Sequence, residues 1–243
     1  MSYEKYYKRT IVKESLYSTA LGEERSLRIF LPPGYNELAS YPVIYCQDGE
    51  QFFNYGRIAT TATRLILDEG IDPFIIVGVD VNLKMRTDDY APEGKRFNRY
   101  LQFFAEEMLD FVENRYAVRT TADERILAGD SLGGTVSLHI ALEHRDEFRK
   151  VLSLSGAFLT STQQAIAEES DLSWLSIYQL IGLDEQAVQT DRGTFDFLAA
   201  NRSVRQMLSE RKADLWYEEK PGEHLWGFWQ KELEHGLRWL LAR

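Results

Sequence analysis

Gly129-Asp130-Ser131-Leu132-Gly133 is the stretch of this 243-residue chain that decides its fold. A strand-like run at residues 125–128 leads into it, and an apolar, helix-forming run at residues 135–142 follows it. Glycines on both sides of the serine remove the side chains that would collide where a strand turns sharply into a helix. Such a turn lifts the serine hydroxyl above the edge of a sheet, so the stretch predicts a nucleophilic serine in an α/β domain.

From residue 41 onward, short apolar runs alternate with amphipathic runs of helical length. That alternation is typical of a parallel sheet with helices on both of its faces. The sequence predicts strands at residues 41–46, 74–81, 125–129, 151–155, 175–181 and 215–219. It predicts helices at residues 57–69, 100–116, 132–144, 195–211 and 225–241.

The first part of the chain has a different pattern. Polar and apolar residues alternate at residues 8–18 and 24–31, and a turn follows at Pro32-Pro33-Gly34-Tyr35. Alternation of this kind indicates antiparallel strands. We therefore expect one α/β domain over residues 1–243, with a mostly parallel central sheet that carries antiparallel strands from the amino-terminal part.

Composition narrows the possible partners. The formal net charge is -10, so nucleic acid and anionic membranes would be repelled, and neither is expected as a partner. The first ten residues lack the apolar segment of a secretory signal, and the apolar run at residues 74–79 is too short to cross a bilayer. We expect a cytoplasmic protein.

Cys46 is the only cysteine, which excludes an internal disulfide, and its apolar strand predicts a buried thiol.

A serine nucleophile needs a general base within hydrogen-bond reach, and four histidines are available. His139 and His144 lie on the helix after Ser131, which carries them away from the hydroxyl. His235 lies inside the last predicted helix. His224 instead occupies a turn after a predicted strand, at the same sheet edge as Ser131, and is the predicted base.

The acid that orients the base should lie between serine and histidine in the chain, after a strand. Asp184 and Glu185 directly follow the strand predicted at residues 175–181, and Asp191 and Asp196 lie further along. The residues alone leave the choice among these carboxylates open.

Acyl transfer also needs donors for the oxyanion of the tetrahedral intermediate. The residue after the nucleophile usually supplies one backbone N–H, and a loop after an early strand supplies the other. We expect the backbone N–H groups of Leu132 and of Glu50 to be these donors, with Gly49 allowing a close approach of the chain.

Residues 82–98, 158–174 and 184–194 fit neither pattern and follow the carboxyl ends of strands, where ligands bind in open α/β sheets. We expect them to form the walls of the site. Arg86 and Arg96, with Arg99 and Arg192, could form a basic rim for an anionic substrate. Trp174 and Trp226 could line an acyl or alcohol pocket, although helical spacing of Trp226 and Trp229 suits a core face equally well.

Five motifs occur in a fixed order along the chain. They are Leu31-Pro32-Pro33-Gly34-Tyr35, Gln47-Asp48-Gly49, Arg86-Thr87-Asp88-Asp89-Tyr90-Ala91-Pro92, Gly129-Asp130-Ser131-Leu132-Gly133-Gly134 and Gly222-Glu223-His224-Leu225-Trp226. Together they resemble the "Putative esterase" family, which includes enterochelin (trilactone siderophore) esterases, S-formylglutathione hydrolases, feruloyl esterases and mycolyltransferase antigens.

The resemblance implies an α/β-hydrolase fold without a large cap, with Ser131 as nucleophile and His224 as base. The siderophore-esterase pattern G-x-x-E falls on Gly182 to Glu185, so the resemblance makes Glu185 the expected acid. Asp184 and Asp191 remain the alternatives. The chain departs from the family at Asp130, where histidine is common.

We therefore expect a serine carboxylic-ester hydrolase that acts on a small-molecule ester through an acyl-enzyme on Ser131. This chemistry requires no metal ion and no organic cofactor. The same site would serve a trilactone siderophore or a thioester of the S-formylglutathione type. A hydrolase fold that is catalytically silent and only binds ligands is the alternative from another class.

Overall fold

The computed structural model describes residues 9–242, and the strands within this range are defined first. They are β1 Thr10–Ser18, β2 Glu23–Leu31, β3 Val43–Cys46, β4 Ile75–Val79, β5 Arg125–Asp130, β6 Lys150–Leu154, β7 Ser176–Gly182, β8 Val188–Thr190, β9 Gly193–Phe195 and β10 Asp214–Lys220. Eight of these form the main sheet in the order β1-β2-β4-β3-β5-β6-β7-β10, whereas β8 and β9 pair as a separate hairpin.

The main sheet is parallel from β4 to β10, and only β1 and β2 run antiparallel to their neighbours. The predicted fold class is thereby confirmed, including the antiparallel strands from the amino-terminal part. Each strand predicted from residue 41 onward is present, with ends that differ by at most two residues. Residue 8, at the start of the first predicted alternation, lies outside the described residues.

Helices cover both faces of the sheet. They are α1 Gly49–Asn54, α2 Ile58–Glu69, α3 Arg86–Tyr90, α4 Phe97–Gln102, α5 Leu109–Glu113, α6 Leu132–Glu143, α7 Thr160–Glu168, α8 Phe197–Glu210 and α9 Trp226–Leu241. A π-helical segment, Phe103–Met108, joins α4 to α5. Of the helices in residues 9–242, none is both long enough and apolar enough to cross a lipid bilayer.

The core consists of two apolar layers separated by the sheet. Successive residues of a strand point to opposite faces, and β3 shows this directly. Val43 and Tyr45 belong to the layer that also holds α4 to α8, whereas Ile44 and Cys46 belong to the layer with α1, α2 and α9. The thiol of Cys46 is fully buried, as its apolar strand predicts.

The differences from the sequence-based prediction lie in the short elements. The helix predicted at residues 100–116 begins earlier, at Phe97, and ends at Glu113. The three segments predicted to be irregular contain α3, α7 and the β8–β9 hairpin, and the turn predicted after β3 begins α1. Elements this short are stabilised by tertiary packing more than by their own sequence pattern, so the local signal for them is weak.

Candidate active site

The nucleophile candidate lies on a strained turn between β5 and α6. Ser131 has φ 52 and ψ -122, a conformation that a residue with a side chain rarely adopts. Close backbone packing makes the turn possible, since a Cβ on Gly129 would lie only 2.1 Å from the carbonyl carbon of Gly133. The turn therefore requires glycine before the serine, and it presents the serine hydroxyl at the carboxyl edge of the sheet.

The structure brings Ser131, His224 and Glu185 into one hydrogen-bonded row. Nε2 of His224 lies 2.9 Å from Oγ of Ser131, and Nδ1 lies 2.6 Å from Oε2 of Glu185. Each residue follows the carboxyl end of a strand, namely β5, β10 and β7. In this row the imidazole can accept the serine proton at Nε2 while the carboxylate accepts a hydrogen bond from Nδ1.

Glu185 is fully buried and its second oxygen is also bound. Oε1 accepts hydrogen bonds from the Ser155 hydroxyl at 2.6 Å and from the Gly182 backbone N–H at 2.9 Å. The Trp229 indole N–H donates in turn to Oγ of Ser155 at 2.8 Å. These donors hold the carboxylate in place and stabilise its negative charge away from water.

Two aromatic rings restrict the imidazole of His224. The Phe197 ring lies 4.8 Å from it, centroid to centroid, and the Trp229 ring meets it nearly edge-on at 4.9 Å. The ring of His224 is therefore held between aromatic side chains as well as by its hydrogen bonds.

A cavity of about 400 Å³ opens above the Ser131 hydroxyl. Its polar lining residues are Gln51, Arg86, Asp130, Ser131, Gln189, Thr190, Asp191, Arg192 and His224. Its apolar lining residues are Leu132, Ala157, Leu159, Phe195, Phe197, Leu225, Trp226 and Trp229. All three of the segments predicted to form walls contribute to the lining, and the cavity has room for a small ester beside the nucleophile.

The predicted oxyanion donors lie at the starts of two helices. Leu132 is the first residue of α6 and lines the cavity. Glu50 lies in the first turn of α1, while its side chain is 64% exposed and pairs with Arg28. The N–H groups of Gln51 and Phe52 both donate to the Asp48 carbonyl, so Glu50 is one of the first amides of α1 that lack a partner within the helix.

The alternative acids lie away from His224. Asp184 is exposed at the surface, and Asp191 lies in the β8–β9 turn, where it accepts a hydrogen bond from the Thr87 hydroxyl at 3.4 Å. Asp196 caps α8 by accepting a hydrogen bond from the Ala199 N–H. Among the carboxylates that the sequence leaves open, the structure places Glu185 against the imidazole.

Three of the residues predicted to contact substrate are absent from the cavity lining, namely Arg96, Arg99 and Trp174. Arg99 is exposed on α4. Arg96 is buried between Glu23 and Asp89, with nitrogen to oxygen distances of 2.7 and 2.8 Å, so its charge serves an internal ion-pair cluster. Trp174 packs against the core just before β7 begins, at the opposite edge of the sheet from the carboxyl strand ends. The prediction that these residues bind substrate is therefore wrong.

The other predicted lining residues do face the cavity. Trp226 lines it, and its indole N–H donates to Oε1 of Gln51 at 3.0 Å. Arg86 also lines it, but its guanidinium is bound to the carboxylate of Asp48 at 2.8 Å through two nitrogens. Arg192 lies 3.2 Å from Glu93. The arginines that line the cavity are thus already paired with carboxylates. They do not form the free basic rim that the sequence suggests.

The remaining histidines lie outside this row. Nε2 of His139 lies 3.1 Å from Oγ1 of Thr162 in the core, and burial lowers the pKa of His139 to about 4. His235 pairs with Glu218 on β10. Within residues 9–242, no group of three or more His, Cys, Asp or Glu side chains has an arrangement that could hold a metal ion.

Two residues with clear contacts in the site are missed by the sequence analysis. Ser155 has a positive φ of 51° directly after β6, and Phe197 begins α8. The signal for Ser155 is its place at the end of a strand next to Gly156, where chemistry-bearing residues of α/β sheets gather. Nothing in the local pattern distinguishes Phe197 from a core residue of an amphipathic helix.

The chain matches a known protein family and is similar to several known proteins. The model of the family described as "Putative esterase" matches residues 18–240. The uncharacterized protein YjcH of Bacillus subtilis (strain 168) is 35% identical over 234 residues, which cover 96% of this chain and 98% of YjcH.

Solved structures share the fold at lower sequence identity. A ferulic acid esterase superposes with a TM-score of 0.83 at 20% identity, covering 97% of this chain and 99% of that one. The enterobactin esterase FES from Shigella flexneri superposes with a TM-score of 0.82 at 21% identity, covering 96% of this chain. The chain spans 59% of the length of that enzyme.

Proposed function

The chain belongs to the "Putative esterase" family and is an esterase, and from this premise we propose that it is a serine carboxylic-ester hydrolase with Ser131, His224 and Glu185 as its catalytic triad. The observation that carries the proposal is the row of hydrogen bonds from Ser131 Oγ through His224 to Glu185, at 2.9 and 2.6 Å. This arrangement supports proton transfer from the hydroxyl to the imidazole, with the carboxylate stabilising the imidazolium that forms.

In the proposed reaction, Oγ of Ser131 attacks the ester carbonyl carbon and Nε2 of His224 takes the hydroxyl proton. The carbonyl oxygen becomes an oxyanion, for which we propose the backbone N–H groups of Leu132 and Glu50 as donors. The bond to the leaving alcohol then breaks, and the alcohol takes the proton from His224. Water then gives a proton to Nε2 of His224 and attacks the acyl carbonyl carbon. The ester bond to Oγ of Ser131 breaks, Oγ takes the proton back from His224, and the acyl group leaves as a carboxylic acid.

The experiment that tests this proposal combines hydrolysis with covalent labelling. Wild-type protein is expected to hydrolyse p-nitrophenyl acetate and to react with a fluorophosphonate probe. Ser131→Ala should abolish labelling and lower kcat/KM by at least about 10³-fold, because the acyl-enzyme has no attachment point. Ser137→Ala is the matched control, since Ser137 is a buried serine on α6, the helix that follows Ser131, and lies outside the cavity lining.

The opposite result would identify a binding module. Wild-type protein that neither labels nor hydrolyses any ester, or Ser131→Ala protein that labels as well as wild type, would contradict the proposal. Equal labelling of the wild type and of the Ser137→Ala control is part of the expected result.

The physiological ester is a separate question, which a substrate panel addresses. Relatives of the fold carry names such as ferulic acid esterase and enterobactin esterase, so a feruloyl ester and a catecholate trilactone belong in the panel. S-formylglutathione tests the thioester alternative. The substrate with the highest kcat/KM in this panel identifies which acyl and alcohol groups the cavity accepts.

A further inference from the structure

Arg86 lies between two acidic side chains at the wall of the cavity. Its Nε and Nη2 donate to the two carboxylate oxygens of Asp48, each at 2.8 Å. Nη2 also donates to the backbone carbonyl of Asp130 at 3.3 Å and lies 3.9 Å from Oδ2 of that residue. One guanidinium therefore contacts Asp48, which follows β3, and Asp130, the last residue of β5.

Asp48 connects the guanidinium of Arg86 to α1 and α6, the two helices that start at the site. It has a left-handed conformation, φ 50°, and its carbonyl accepts the first hydrogen bonds of α1. Its carboxylate is fully buried against the first turn of α6, where a Cβ on Gly133 would lie 3.0 Å from Oδ2. The Tyr90 hydroxyl accepts its backbone N–H at 3.2 Å. A shift of Asp48 would therefore move the start of α1 relative to α6.

Asp130 precedes the nucleophile and is buried as well. Burial and the nearby Asp48 raise the pKa of Asp130 to about 7, while Arg86 opposes the shift. Asp48 lies against Gly133 in the first turn of α6 and Asp130 directly precedes Ser131, so both acidic side chains lie near the start of α6, where we expect negative charge to develop in the transition state. Without a cation between them, these carboxylates would raise the energy of an oxyanion.

We propose that Arg86 is a positioning residue for the oxyanion hole, which fixes Asp48 between α1 and α6 and offsets the acidic charge beneath the two donors. The inference rests on the proposed function, because it requires an oxyanion to form there. The bidentate geometry is specific to arginine, since lysine offers a single charged nitrogen. With its carboxylate partner in place, Arg86 acts on the transition state instead of recruiting an anionic substrate.

The test compares variants of Arg86 and Asp48 that change the buried charge. Hydrolysis of p-nitrophenyl acetate is measured for each variant, and the fluorophosphonate probe counts the active sites. Arg86→Gln should lower kcat at least about 10-fold with KM changed less than about 3-fold, because the missing interaction acts in the transition state. Arg86→Lys should fall in between. The double variant Arg86→Gln with Asp48→Asn should regain at least about 5-fold in kcat over Arg86→Gln, since it removes the fully buried carboxylate that Arg86 pairs with and leaves only Asp130.

Arg125→Gln controls for general loss of stability. Arg125 is also buried and pairs with two carboxylates, Glu113 and Glu147, but it begins β5 at the edge of the sheet opposite Ser131. Arg125→Gln should lower Tm while the kcat per titrated site stays within about 2-fold of wild type.

A trifluoromethyl ketone that forms a tetrahedral adduct on Ser131 should lose affinity in Arg86→Gln in parallel with kcat.

The outcomes separate this inference from the proposed function. If wild-type protein hydrolyses the ester but Arg86→Gln keeps its kcat, or changes only KM, the positioning role is wrong while the esterase remains. If the double variant is no faster than Arg86→Gln, the charge balance is wrong. Wild-type protein that is neither labelled nor active overturns both.

Discussion

The hydroxyl of Ser155 lies 2.6 Å from Oε1 of Glu185, so the proposed acid is held from the side opposite His224. The Ser155 oxygen accepts the Trp229 indole N–H, which leaves its own proton free to point at the carboxylate. Tryptophan, serine, glutamate, histidine and the nucleophilic serine thus form one continuous chain of hydrogen bonds.

Removing the Ser155 hydroxyl should slow the reaction without abolishing it. We expect Ser155→Ala to lower kcat about 10-fold, because a hydrogen bond to a charged group contributes about 1.5–3 kcal/mol. Steady-state hydrolysis of p-nitrophenyl acetate measures this, together with Tm. Trp229→Phe should lower kcat little further in the Ser155→Ala background, because the indole N–H acts on Glu185 through Ser155. Full additivity of the two losses in kcat would contradict this row of hydrogen bonds.

Removing the charge of the proposed acid should have a larger effect. We expect Glu185→Gln to lower kcat/KM by at least about 10³-fold, because an amide no longer favours the imidazole tautomer that accepts the serine proton. Asp184→Asn is the matched control, since Asp184 is the adjacent carboxylate but is exposed. A larger loss for Asp184→Asn than for Glu185→Gln would assign the acid to the alternative residue.

The charge pattern of the cavity predicts selectivity between esters. Arg86 and Arg192 are paired with Asp48 and Glu93, and Asp191 adds a further negative charge at the rim. Mono-p-nitrophenyl succinate should therefore have a kcat/KM at least about 10-fold below that of p-nitrophenyl valerate, an uncharged ester of similar length. The difference should shrink as salt screens the rim. Equal or faster hydrolysis of the succinate would favour the basic rim.

His139 predicts how stability depends on pH. Burial lowers its pKa from 6.5 to about 4, so between these values the unfolded chain binds a proton that the folded chain does not. Stability should therefore fall as pH decreases from 6.5 to 4, by about 3 kcal/mol from this residue. Urea unfolding at several pH values measures the slope. His139→Gln, which can retain a hydrogen bond to Thr162, should have a shallower slope, and an unchanged slope would argue against this source.

Much of the architecture follows from the sequence. Apart from the half-buried edge strand β10, the parallel strands are buried on both faces, so they occur as short apolar runs that local inspection can find. The turn at Gly129-Asp130-Ser131-Leu132-Gly133 is equally local, because a side chain on Gly129 would clash with the backbone of Gly133, four residues along the chain. The expected "Putative esterase" family is confirmed by the match to residues 18–240. The catalytic roles of the individual residues stay predictions.

The sequence by itself determined the strands, the covering helices and the place of Ser131, because burial and turn sterics depend on neighbouring residues. Only the tertiary structure decided which carboxylate meets His224 and whether each arginine is free. Glu185 and His224 are 39 positions apart, and Arg86 and Asp48 are 38 apart. Hydrogen bonds and ion pairs depend on distances of a few ångströms between atoms, and those distances are set only when the strands assemble.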